Sequence, residues 1–186
     1  MKLDKLLQNT KVVSKHGDMN IHVKDICSDS RKVEPGFLFV AVAGICTDGH
    51  DYISKAIEQG ATVVVYDKVM IEEYFQRVTY IQVENSAKAL AEIAATWYGN
   101  PSSKLKLIGV TGTNGKTTIA TLLYDTVRKL GYSAGLFSTV CNYVNDEAFP
   151  TSLTTLDTLS LNRLMRKMVD VGCEYAFMEV SSHAIH

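Results

Sequence analysis

The segment Thr111-Gly112-Thr113-Asn114-Gly115-Lys116-Thr117-Thr118 constrains this chain most, because it lies between an apolar run, Leu105 to Val110, and a stretch with helical periodicity. A strand that turns through glycines into a helix opening on Lys-Thr-Thr builds a cradle for phosphate. Backbone N–H groups of the loop and the first helical turn converge on an anion, the lysine reaches the outer phosphates, and the next hydroxyl can bind Mg2+. The reading assigns Gly112, Thr113, Asn114, Gly115, Lys116, Thr117 and Thr118 to a nucleotide, with Lys116 as the catalytic cation. The spacing departs from G-x-x-x-x-G-K-[ST] at its first glycine: position 110 is Val, and Gly109 lies one residue too early. What remains is the shorter form Gly112-Thr113-Asn114-Gly115-Lys116-Thr117. A glycine-rich turn that merely precedes a helix gives the lysine-threonine pair no reason to stand at the helix start.

The rest of the composition narrows the partners. At 186 residues the chain is long enough for one full domain, or one and part of another. A net charge of -1, with 19 Lys and Arg scattered rather than blocked, supplies no basic field, and no nucleic-acid partner is expected. Charges interrupt the apolar start Met1 to Leu7, and no run reaches the 18 or so apolar residues of a membrane span. No membrane association and a cytoplasmic location follow as expectations. Cys27, Cys46, Cys141 and Cys173 form no C-x-x-C pair, so neither a zinc site nor a disulfide framework is suggested.

The first hundred residues alternate strand-like runs with helical patterns. Ile21 to Cys27, Phe37 to Val42, Thr62 to Tyr66 and Val78 to Val83 predict strands. His50 to Gln59 predicts a helix stopped by Gly60. Ser86 to Tyr98 predicts another, with Ala87, Leu90, Ala91, Ala94, Trp97 and Tyr98 at helical spacing. Pro101-Ser102-Ser103-Lys104 reads as a linker, giving domains over 1–103 and 104–186. Past the phosphate loop, a helix over Lys116 to Leu130 is expected to bury Ile119, Leu122, Leu123, Val127 and Leu130. A strand over Tyr132 to Val140 follows. Asp157 caps a helix with the stripe Leu161, Leu164, Met165, Met168 and Val169, and Glu174 to Val180 is the last strand. The fold class is α/β: a mixed N-terminal domain, then the start of a mostly parallel P-loop-type domain. Three strands and two helices are few for such a domain, so the sequence reads as the front of a longer protein. An unpaired sheet edge and an uncovered apolar face, and hence poor solubility in isolation, are the expected consequence.

Two further segments carry a resemblance. Asp29-Ser30-Arg31-Lys32-Val33-Glu34-Pro35-Gly36-Phe37-Leu38-Phe39-Val40-Ala41, followed by Gly44 and Asp48-Gly49-His50-Asp51-Tyr52, resembles the N-terminal uridine-nucleotide domain of the Mur ligases. Glu179-Val180-Ser181-Ser182-His183-Ala184-Ile185 resembles the E-V-S-S-H-A-L signature of one branch of that family, and the run from Gly109 resembles its ATP loop. The resemblance implies that Ser30, Arg31, Gly44, Asp48, His50, Thr154, Thr155, Ser181, Ser182 and His183 bind a UDP-N-acetylmuramoyl dipeptide. It implies ATP at the loop and Mg2+ held by Thr117 and Glu179. Two positions depart from the family pattern: Leu156 replaces the proline after its Thr-Thr pair, and Ser138 stands where it often has glycine.

Residue chemistry runs beside these implied roles. Pro35-Gly36 suits the centre of a type II turn. From the residues alone, Ser30-Arg31 also reads as a surface turn with a salt-bridging arginine. Glu179 ends a predicted strand, where open α/β sheets gather ligands. Ser182 beside His183 does not make a hydrolase, since neighbours on an extended segment face opposite ways and no G-x-S-x-G elbow surrounds them. The implied activity is ATP-dependent amide formation between the muramoyl dipeptide and a diamino acid through an acyl phosphate, by an enzyme monomeric at full length. The front portion alone is expected to be inactive. A P-loop kinase or NTPase, or a non-catalytic uridine-nucleotide module, stays open beside it.

Overall fold

The computed structural model describes residues 1–44, 47–68, 75–150 and 156–180. The chain divides into two compact units, Met1–Trp97 and Tyr98–His186.

In the first unit, α1 (Leu3–Leu6) and β1 (Val12–His16) precede β2 (Ile26–Cys27), β3 (Leu38–Val40), α2 (Ile53–Glu58), β4 (Val63–Tyr66), β5 (Thr79–Val83) and α3 (Ser86–Trp97). The sheet order is β1-β5-β4-β3-β2, with β2 through β5 parallel and β1 antiparallel on β5. Every residue of β3 and β4 is buried, as expected for parallel strands covered on both faces. Phe39, Val64 and Tyr80 pack with Ala56, Ile53 and Ile57 of α2. Leu38, Val40, Val63 and Val65 alternate to the other face and are fully buried too. The turn Glu34-Pro35-Gly36-Phe37 feeds β3: Phe37 N–H donates to the Glu34 carbonyl at 3.1 Å, and Gly36 sits at φ +91°, the type II geometry.

Three expectations change here. The strand over 21–27 contracts to Ile26–Cys27, and β1, with its polar Ser14, Lys15 and His16, forms because β5 offers it a ladder. The helix over 50–59 starts as a 3-10 turn, Gly49–Tyr52, before α2.

The second unit opens on a 3-10 turn, Pro101–Lys104, that packs on α5 (Thr158–Asp170). Its strands are β6 (Lys106–Val110), β7 (Ala134–Phe137), β8 (Cys141–Val144), β9 (Glu147–Pro150) and β10 (Tyr175–Glu179), in the order β6-β10-β7-β8-β9. β10 lies parallel between β6 and β7, whereas β8 and β9 form an antiparallel hairpin. That hairpin corrects the expectation of only three strands; its turn places Asn145 at φ +49°, which asparagine tolerates. Met165 and Met168 of α5 fill the core with Phe137, Val144 and Ala176. A Cβ on Gly135 would lie 2.3 Å from Met168 Cε, so a strand residue without a side chain admits the helix.

Helix α4 (Lys116–Lys129) departs most from expectation. It buries Ala120 and Tyr124, with Val127 partly buried, against Ala134, Leu136 and Phe177. Ile119, Leu122, Leu123 and Leu130 are exposed, Leu122 and Leu130 to 59% and 69%. Of its apolar residues, Ala120, Tyr124 and Val127 meet the sheet. On the same sheet, among the described residues, β6 pairs only with β10, and none of the residues of β6 is buried.

Candidate functional site: a phosphate loop beside a carboxylate

Strand β6 delivers the chain to Thr111, and Gly112 (φ +149°) and Gly115 (φ +77°) turn it into α4. Both angles favour glycine over a residue with a side chain. Gly115 is the N-cap, so no side chain caps α4, and no acidic residue stands in its first turn. The other long helix of the unit differs: Asp157 accepts from the amides of Leu159 and Ser160 at the start of α5. Uncapped amides and a positive dipole end suit α4 to an anion.

Lys116 Nζ donates to the carbonyls of Gly112 at 2.7 Å and Thr113 at 3.4 Å, lying across the loop it is expected to serve. The Thr117 hydroxyl donates to Glu179 Oε2 at 2.6 Å although 62 residues separate them. Register explains the encounter: Glu179 pairs with Val110, the last residue of β6 before the loop. The other carboxylate oxygen, Oε1, accepts from the Thr139 amide. Burial raises the Glu179 pKa, but the hydrogen bonds from Thr117 and Thr139 and the charge of Lys116 outweigh it, leaving the carboxyl below its ordinary value. Hydroxyl and carboxylate oxygens are the hard donors Mg2+ takes. Among the described residues no group of three or more His, Cys, Asp or Glu side chains could hold a metal ion by itself, so a cation here needs phosphate oxygens and water to complete its shell. In the sequence Thr139 falls near the end of the strand expected over Tyr132 to Val140, beside the departure at Ser138, whereas the strand ends at Phe137; no local signal marks an amide that reaches Glu179.

In the first unit Ser30 is buried, while Arg31 forms a two-pronged pair with Asp29, Nε to Oδ1 and Nη2 to Oδ2 both at 2.9 Å. The side-chain bond from Arg31 is the main cause that lowers the Asp29 pKa. The salt-bridging reading of Arg31 is therefore realised, with the guanidinium still exposed. Gly44 N–H donates to the Thr47 carbonyl at 2.9 Å. Asp48 and His50 contact each other: Nδ1 lies 2.6 Å from Asp48 Oδ1. Thr154, Thr155, Ser181, Ser182 and His183 lie outside the described residues.

Two family models match these segments, the Mur ligase family catalytic domain over residues 22–98 and the Mur ligase middle domain over residues 110–186. The chain belongs to the Mur ligase family. Among curated relatives of this Mur ligase chain are proteins named UDP-N-acetylmuramoyl-L-alanyl-D-glutamate–2,6-diaminopimelate ligase. The one from Phocaeicola vulgatus is 54% identical over 185 residues, 100% of this chain and 38% of the relative. That from Clostridium tetani is 42% identical over 187 residues, 100% of this chain and 39% of the relative. The chain thus spans a little over a third of the length of the relatives it matches. A solved structure of a ligase with the same name shares the fold at a TM-score of 0.77 and 21% identity, over 100% of this chain and 37% of that one. The MurF ligase of Thermotoga maritima, solved in complex with ADP, aligns at a TM-score of 0.54 and 26% identity, over 86% of this chain and 32% of that one. Among the described residues no helix is long and apolar enough to cross a membrane.

Proposed function

We propose that this chain supplies the uridine-nucleotide and ATP-binding parts of an ATP-dependent ligase that joins 2,6-diaminopimelate to UDP-N-acetylmuramoyl-L-alanyl-D-glutamate. The observation that carries the ATP half is the meeting of Lys116, Thr117 and Glu179 at an uncapped helix start. The identity of the substrates rests on the names of relatives 54% and 42% identical to this Mur ligase chain. Its organisation follows the sequence: residues 1–103 for the muramoyl nucleotide, through Ser30, Arg31, Gly44, Asp48 and His50, and 104–186 for ATP. Thr154, Thr155, Ser181, Ser182 and His183 complete the muramoyl contacts in this reading. The enzyme is cytoplasmic and monomeric at full length.

The chemistry transfers the γ-phosphoryl of ATP to the glutamyl carboxylate, giving an acyl phosphate and ADP. The diamino acid amine then attacks the acyl carbon, and inorganic phosphate leaves as the amide forms. A carboxylate is a poor electrophile, and phosphorylation gives it a leaving group. Lys116 exchanges its two carbonyl acceptors for phosphate oxygens and offsets charge that develops during transfer. The amides of Gly112 to Thr118 orient the triphosphate, a positioning task worth several orders of magnitude in such reactions. Thr117 and Glu179 would hold Mg2+, which supplies further charge neutralisation. In the full-length ligase, multiple-turnover ADP formation should require ATP, the UDP-muramoyl dipeptide and diaminopimelate together. ADP release at the same rate without the UDP-sugar would replace this proposal with a simple NTPase.

A further inference from the structure

We infer that Ser138 and Asn142 are positioning residues: they shape the bend after β7 so that Thr139 fixes the Glu179 carboxylate for the divalent cation that accompanies ATP. The inference deepens the reading of Gly112 to Thr118 as an ATP loop and rests on it. Glu179 ends β10, and Met178 before it pairs with Phe137, the last residue of β7. The chain leaving β7 therefore passes beside the carboxylate, and the Thr139 amide donates to Oε1. Oε2 accepts from the Thr117 hydroxyl. A carboxylate accepts at about four lone-pair positions, so a group held in this way keeps room for a cation. A side chain ordered in advance also spares the ligand the entropy of ordering it.

The bend lacks the usual means of closing. Gly135 pairs with Val144 and Leu136 with Tyr143 in antiparallel register. Two steps further along that register, Ser138 stands opposite Cys141, with Thr139 and Val140 at the tip. Two-residue hairpin tips favour type I′ or II′ geometry, which needs φ > 0. Neither Thr139 nor Val140 has a positive φ. Burial does not explain the bend either, since both residues are exposed.

Side chains close it instead. The Ser138 hydroxyl donates to the Cys141 carbonyl at 2.8 Å and accepts from the Cys141 amide at 3.1 Å and the Val140 amide at 3.3 Å. Asn142 Oδ1 accepts from the Ser138 amide at 3.1 Å. Asn142 is only 2% exposed and shares a strand face with Val144, which lies in the core with Met165 and Met168. A buried amide so anchors the bend from the core, and one hydroxyl ties its two sides together. Of the four amides from Ser138 to Cys141, these two side chains hold three, and the fourth, that of Thr139, is directed to Glu179. Ser138 is also one of the two departures from the family pattern, and its hydroxyl makes bonds that a glycine there could not.

Calorimetric titration of the full-length ligase with a non-hydrolysable ATP analogue, once with Mg2+ and once with excess EDTA, tests this on the unmodified protein, Ser138→Ala and Ser138→Thr. The Kd in EDTA divided by the Kd in Mg2+ measures what the cation adds. Ser138→Ala should shrink that ratio by about fivefold or more while the Kd in EDTA stays within about twofold, and Ser138→Thr, which keeps the hydroxyl, should restore it. An unchanged ratio in folded Ser138→Ala overturns the inference, as does an equal loss of affinity in both buffers, which marks a purely structural role. An unmodified ligase that binds the analogue equally well in both buffers removes the inference and leaves the ATP reading standing. One that binds it in neither removes both. Amide exchange on the unmodified ligase needs no variant: the Thr139 N–H, although at an exposed tip, should exchange about tenfold or more below the rate of an unstructured chain. Exchange at the unstructured rate overturns the inference.

Discussion

Strands β4 and β6 are both short, apolar and parallel-paired, yet all four residues of Val63–Tyr66 are buried and none of Lys106–Val110 is. The first lies inside its sheet, between β3 and β5; the second, among the described residues, has a partner on one side only. Their polar neighbours differ in the same sense. After β4, Asp67 turns to His50 and the Ser86 amide, and its bonds stay within the unit. After β6, the loop is exposed and the amides that open α4 have no side-chain cap. A unit that satisfies its own polar groups gains order; one that leaves donors directed outward keeps them for a ligand.

That contrast can be broken at several points. The largest effect belongs to Lys116→Ala. It should cut ADP formation by the full-length ligase by about 100-fold or more, while calorimetry shows the UDP-sugar bound as before. Turnover close to normal would remove the loop from the chemistry. Next comes Phe39→Ala, at a fully buried position of β3. Denaturant unfolding should show a loss of about 3 to 5 kcal/mol, against which the second unit supplies its own control.

Glu179 gives a smaller, pH-dependent effect. Its carboxyl titrates below the ordinary value in the folded chain, so its contribution is full above the usual glutamate range and is lost as pH falls through the depressed value. Thermal melts should show an acid limb that Glu179→Gln flattens by about 1 kcal/mol or less, given its partial exposure. An unchanged limb would mean that Thr117 and Thr139 do not favour the ionised form. Smallest is Leu122→Ala, on the outer face of α4, expected to change stability by no more than about 0.5 kcal/mol. A loss as large as that of Phe39→Ala would show that this face is covered in solution.

The phosphate loop was legible because its information is local: glycines where φ is positive, then Lys and Thr at a helix start. The Met165 and Met168 stripe was legible for a similar reason, since one amphipathic face met one core. Strand β1 escaped because its Ser14, Lys15 and His16 carry no apolar alternation. The β8–β9 hairpin escaped because Asn142, buried and bonded to the Ser138 amide, occupies a position that reads as loop. Of the α4 residues expected inward, Val127 packs on the core, whereas Ile119, Leu122, Leu123 and Leu130 are exposed. Periodicity identifies apolar residues at helical spacing, and it does not say which of them meet the sheet.

Sequence by itself determined the anion-binding turn, the alternation of strands with helices and the family, because each depends on neighbours within a few residues of one another. Only the tertiary structure decided that Glu179 meets Thr117 across 62 residues, through parallel pairing of β6 with β10. It alone decided that His50 spends both nitrogens on Asp48 and Asp67. Strand register and the closing of carboxylates on a ring are set by the packing of whole sheets, and no short stretch of residues encodes them.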